Sequence, residues 1–134
     1  MKPLTREWIE KAEGDWSTAR RELRVRASPN FDAVCFHAQQ SAEKYLKALL
    51  QERGAPIPRT HNLEALVKPL LSALPVLVAL APNLRTLGAY AVETRYPGQT
   101  SDRTMAKDAF AHGAAIRTAV RKIFKLPKSA RKQG

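Results

Sequence analysis

The sequence is poor in most residues that build a chemical centre. It has a single cysteine, Cys35, so no disulfide can form within the chain, and a reducing cytoplasm is the natural compartment. With no thiol-enzyme motif around it, Cys35 reads as buried filler. The three histidines, His37, His61 and His112, are spread too widely to match any zinc-ligand spacing, so no metal is expected. There is no glycine-rich phosphate loop of either the P-loop or the dinucleotide type, and no cofactor is expected. Serine-hydrolase and paired-carboxylate chemistry have no local signature. Aromatic residues make up only 7%, and no stretch alternates apolar and polar residues as a strand would. Long apolar runs are missing too. The best, from Leu70 to Leu84, is cut by Pro75 and Pro82, too short to cross a membrane. The N-terminal MKPLTREWIEKAEGDW is charged and amphipathic, unlike a secretory leader.

Acidic residues are also scarce: 12 Asp and Glu face 23 Lys and Arg, a net charge of +11 over 134 residues. That excess suits a polyanionic or acidic partner, such as RNA, DNA, a nucleotide or an acidic protein surface, without choosing among them. Part of it sits in the last residues, with Lys125, Lys128, Arg131 and Lys132.

What is present is helical period. Asn30 to Gly54 carries Phe31, Val34, Cys35, Ala38, Ala42, Tyr45, Leu46, Leu49 and Leu50 at three- and four-residue spacing, one continuous apolar face. Asn30 is placed to cap this helix and Gly54 to end it. A second, polar stripe runs beside it: His37, Gln40, Ser41, Lys44 and Lys47, along about three turns of one ridge. A preceding helix is expected from a Thr5 cap to about Arg26, with Trp8, Ile9, Ala12, Trp16, Ala19 and Leu23 buried. Its basic end, Arg20, Arg21, Arg24 and Arg26, reads either as cations suited to a helix C-terminus or as a patch for an anionic partner. The short Ala27-Ser28-Pro29 turn predicts an antiparallel hairpin of these two helices.

The connection GAPIPRTHN, residues 54–62, is stiffened by two prolines. Thr60, His61 or Asn62 then opens a third helix through Leu63, Leu66, Val67 and Leu70, broken up by Pro69 and Pro75. A fourth is expected from Asn83 to about Thr94, ending at Arg95-Tyr96-Pro97-Gly98. The last, capped by Ser101 or Asp102, runs from Met105 through Phe124 until Pro127 ends it. The expected architecture is all-α, an up-and-down bundle of four to five helices.

Four pieces together resemble the HEPN domain family: Trp8 to Trp16 on the first helix, FHAQQSAEKYLKALL at 36–50, THNL at 60–63 and RYPG at 95–98. The match spans roughly residues 5 to 124, which frames a HEPN-like domain at 1–126 and a basic flexible tail at 127–134. The resemblance implies a small helical bundle that pairs as a homodimer. It also implies partnership with a small nucleotidyltransferase in a toxin–antitoxin type system, and binding of a nucleotide or RNA. Carried onto this chain, the polar positions are Gln40, Lys44 and Lys47 on the second helix, His61 before the third, and Arg95 and Tyr96. His37 joins them on the ridge.

The chain departs from the ribonuclease branch of that family, which carries an Arg followed by His after four to six residues. No Arg here has a His at that distance. A non-enzymatic binding module is therefore the leading expectation. One alternative is a metal-independent endoribonuclease toxin with a non-standard constellation of Arg95 with His61 or His37. The other is a purely structural dimeric protein whose ridge is a contact surface. Each residue also has a plainer role. Gln39 and Gln40 can bridge helices, Lys44 and Lys47 can simply be solvated, and His61 can cap the third helix. Arg95 can hold its loop, and Tyr96 can pack on the second helix.

Overall fold

The computed structural model describes residues 1–93, 97, 98 and 100–128, with side chains undescribed at 91–93, and among these residues five α-helices make up the architecture. They are α1 (Pro3–Leu23), α2 (Phe31–Glu52), α3 (Leu63–Val67), α4 (Ala81–Glu93) and α5 (Arg103–Ile123). The 3-10 turns Lys68–Leu70 and Pro75–Leu80 link α3 to α4. Among the described residues there is no strand. The prolines set this pattern: Pro69 and Pro75 each sit in the first turn of a 3-10 segment, where the missing N–H costs nothing.

The α1–α2 hairpin is antiparallel, as the short turn predicts. Thr5 Oγ1 donates to Glu52 Oε1 at 2.9 Å, Trp8 Nε1 to Gln51 Oε1 at 3.3 Å, and Asn30 N to Glu22 Oε1 at 2.6 Å. Asn30 caps α2 through Ala33 N, Asn62 caps α3 through Ala65 N, and Asp102 caps α5 through Met105 N. Gly54, at φ 66, takes the left-handed position just beyond α2.

Two expectations fail at α1. Thr5 lies inside the helix, fully buried with its hydroxyl on Glu52, and Pro3 starts the helix instead. The helix also stops at Leu23 rather than near Arg26, because the chain must already turn, with Ser28 at φ 51, to reach the α2 cap.

Helix α2 is the axis of the core. It buries Tyr45, Leu46, Leu49 and Leu50 against Leu63, Leu66 and Leu70 and against Ile116 and Val120 of α5. Burying each such aliphatic side chain contributes roughly 1.5–3 kcal/mol. Gly113 lets α5 approach closely: a Cβ there would lie 3.4 Å from both Ala38 Cβ and the Ala38 carbonyl oxygen. Cys35 is buried, and burial pushes its thiol up, away from the reactive thiolate.

Candidate functional site

Four of the five ridge residues of α2, His37, Gln40, Lys44 and Lys47, share one surface in the folded chain, and its cations are not free. Asp15 of α1 faces it: one carboxylate oxygen meets His37 Nδ1 at 2.8 Å and the other meets Lys44 Nζ. One turn along, Glu43 repeats the arrangement. Its Oε1 meets His61 Nδ1 and its Oε2 meets Lys47 Nζ, both at 2.9 Å. Each carboxylate therefore holds one histidine and one lysine.

Gln39, supported by Gln40, joins the Glu43 group to the connecting loop. Gln39 Nε2 donates to the His61 carbonyl at 2.9 Å, fixing the 54–62 connection against α2, and Gln40 Nε2 donates to Gln39 Oε1 at 2.9 Å. Lys47 Nζ also lies 5.5 Å from the Trp8 ring centroid. Towards the α1 N-terminus the surface becomes an apolar cleft of about 310 Å³ lined by Leu4, Glu7, Trp8, Lys11 and Gln51.

Burial ranks the members of this surface. Glu43 is nearly closed off at 4% exposure, while His61 is 66% exposed. Burial by itself raises the Glu43 carboxyl, but hydrogen bonds from Lys47 and His61, and their charges, more than offset it and hold it below the ordinary carboxylate value. A carboxylate on Nδ1 fixes the orientation of each ring. Ser41, the remaining ridge residue, points inward, and among the described residues its buried hydroxyl has no hydrogen-bond partner.

Of the seven expected binding residues, the structure brings five onto one face: His37, Gln40, Lys44, Lys47 and His61. Arg95 and Tyr96 lie outside the described residues. His112 is elsewhere, 3.0 Å from Asn83 Nδ2 and 3.4 Å from Asp108. Among the described residues no group of three or more His, Cys, Asp and Glu side chains is placed to hold a metal ion.

Sequence reasoning missed the anions. Glu43 to Lys47 is a four-residue helical pair and was visible. Asp15 needed the hairpin register: once Thr5 stands opposite Glu52, stepping down the two helices brings Asp15 to Lys44 and Glu13 to Tyr45.

The Glu13–Tyr45 pair belongs to a second network that sequence reasoning missed entirely. Arg117 of α5 grips Glu13 in a bidentate pair, Nε to Oε2 at 2.7 Å and Nη2 to Oε1 at 2.8 Å, and the Tyr45 hydroxyl donates to the same carboxylate. Arg121 Nη1 donates to the Tyr45 oxygen at 3.1 Å. Burial tends to raise Glu13, but the bonds from Arg117 and Tyr45 and the two guanidinium charges hold it below its ordinary range. Burial and the Glu13 charge push the Tyr45 phenol up. Arg117 also stacks on Trp16, at 5.0 Å, and Trp16 stacks on Phe110 at 4.2 Å. The network ties α1, α2 and α5 together at one level.

The family model for the HEPN domain matches residues 5–123. In fold the chain is similar to TT1696 from Thermus thermophilus, known from its crystal structure. The TM-score is 0.77 at 26% identity, covering 88% of this chain and 96% of that one. No curated protein shows significant sequence similarity to the chain. A family match over nearly the whole length, on a helical bundle of this topology, establishes that the chain belongs to the HEPN domain family.

Proposed function

We propose that this chain is a non-catalytic HEPN module. It acts as a homodimer, binds a nucleotide or RNA on the α1–α2 polar face, and works with a small nucleotidyltransferase in a toxin–antitoxin type system. The face comprises His37, Gln40, Lys44, Lys47 and His61, with Arg95 and Tyr96 as the further members that the family resemblance suggests. Residues 1–126 form the working domain, and 127–134 serve as a basic tail.

One observation carries the non-catalytic part. Each described histidine rests on acidic or amide partners, and among the described residues none pairs with a guanidinium. Cleaving RNA without a metal needs a base for the 2′-hydroxyl and a cation for the phosphorane, close together. The binding part is supported by pre-ordering: Asp15 and Glu43 hold the ridge side chains in place, which lowers the entropy lost when a ligand docks.

Calorimetric titration with ATP and AMP tests the pocket. Saturable heat with at least one is expected, and no heat with either, in a folded dimer, removes the nucleotide claim. The competing ribonuclease reading rests on the carboxylate-held rings of His37 and His61, an arrangement that also suits a general base. Incubation with total RNA in the absence of metal separates the two: intact RNA is expected, and cleavage lost in His61→Ala would replace the binding reading.

A further inference from the structure

The last described residues fold back over the second polar network. Beyond α5, Lys125 adopts a left-handed φ of 59 and Leu126 N donates to the Arg121 carbonyl at 2.8 Å, which reverses the chain. The Pro127 carbonyl then accepts from Arg121 Nε, and the Lys128 carbonyl from Arg117 Nη1, each at 2.6 Å. Leu126 packs against the core, whereas Pro127 and Lys128 are exposed.

The charges here do not balance. Glu13 is already matched by the bidentate grip of Arg117. Arg121 brings a second positive charge that is only 5% exposed, and its direct hydrogen-bond partners are neutral oxygens, the Tyr45 hydroxyl and the Pro127 carbonyl. Its approach to Glu13 is 3.6 Å. A buried guanidinium is normally matched by an anion. A clasp serving packing alone would need only Arg117. Two arginines one helical turn apart, each giving an N–H to a separate oxygen at the protein surface, form instead the donor set that receives phosphate oxygens.

We propose that Arg117 and Arg121 form an anion site for a small phosphate or diphosphate, and that the Pro127 and Lys128 carbonyls cover it until the anion displaces them. The carbonyl oxygens are stand-ins for anionic oxygens. They satisfy the N–H groups but leave Glu13 as the one described carboxylate shared by two guanidinium charges, 2.7 Å from Arg117 and 3.6 Å from Arg121, so an oxyanion has an electrostatic advantage over them. Detaching the segment breaks the two carbonyl contacts and leaves Glu13, Tyr45 and Trp16 holding the arginines in place. The site is separate from the α1–α2 polar face: its donors come from α5, and it stands whether or not that face binds a nucleotide.

The test is an NMR titration of the full-length protein with inorganic pyrophosphate, following the Arg117 and Arg121 Nε–Hε signals and the amides of Leu126 and Lys128. Saturable shifts at all of these are expected, and Arg121→Gln should abolish them. Leu126→Ser, which loosens the cover from the core, should tighten pyrophosphate binding about threefold or more. Shifts confined to the Arg20–Arg26 surface, or none, would overturn the site. Unchanged affinity in a folded Leu126→Ser protein would overturn the cover. If that variant does not fold, the wild-type amide shifts of Leu126 and Lys128 decide the point, and their absence on saturation counts against it.

Discussion

The α1–α2 face and the Glu13–Tyr45–Arg117–Arg121 network use the same chemistry, carboxylates against cations, in opposite ways. On the face, Asp15 and Glu43 neutralise Lys44 and Lys47 one for one, and although Glu43 is itself 4% exposed its outer partner His61 is 66% exposed. In the network a single carboxylate serves two arginines that are 8% and 5% exposed. Ion pairs near water contribute little to stability and leave their members able to change partners. Buried ones are costly to break, because the survivor is left charged and dry. On the proposed reading the face binds the nucleotide, while Glu13 and its partners tie α1, α2 and α5 together.

The sharpest way to break that division is Arg117→Met. It strips Glu13 of its bidentate partner and is expected to cost about 3–5 kcal/mol in urea unfolding. A loss below about 1 kcal/mol, the scale of an exposed pair, would mean that the network holds nothing. Tyr45→Phe removes one hydrogen bond from the same half-buried carboxylate and should cost about 1–3 kcal/mol.

Acid sharpens the comparison further. Both Glu13 and Glu43 lie below the ordinary carboxylate value of 4.5 in the folded chain. Their stabilisation is therefore complete above that value and lost as pH falls through their folded pKa values. Glu13→Gln and Glu43→Gln should each flatten the acid limb of a stability-against-pH curve. Added salt should weaken the Glu43 contribution more, since its partner His61 is 66% exposed whereas Arg117 and Arg121 are buried. Equal salt sensitivity would erase the distinction.

The smallest expected effect is Gly14→Ala. Gly14 is exposed in mid-α1, between a residue of each network, and a Cβ there meets nothing within 4 Å. Better helix propensity should add up to about 1 kcal/mol without touching either network, as thermal melts can show.

Much of the fold was legible because it rests on local signals. Apolar period marked α1, α2, α4 and α5, Asn30 marked the start of α2, and Asn62 and Asp102 stood among the candidate caps of α3 and α5 that the structure then selects. Thr5 misled because a threonine before an apolar run resembles a cap, while its partner, Glu52, is distant in sequence. The cations of the site were legible as a helical ridge. Their carboxylates were not, since Asp15 and Glu13 meet α2 only through hairpin register, and Arg117 reaches Glu13 across 104 positions. Helical period shows which side of a helix is buried. It does not show which charge on the next helix will face it.

The central claim, that the α1–α2 face binds the nucleotide while the Glu13 network holds the helices, is tested most directly by calorimetry with ATP on the wild type and on Lys44→Ala/Lys47→Ala. The fold of the double variant is checked by circular dichroism before titration, because Lys47→Ala leaves the 4%-exposed Glu43 with His61 as its remaining charged partner. The account predicts at least a tenfold loss of ATP affinity in this folded variant. Unchanged affinity in a folded double variant would contradict it.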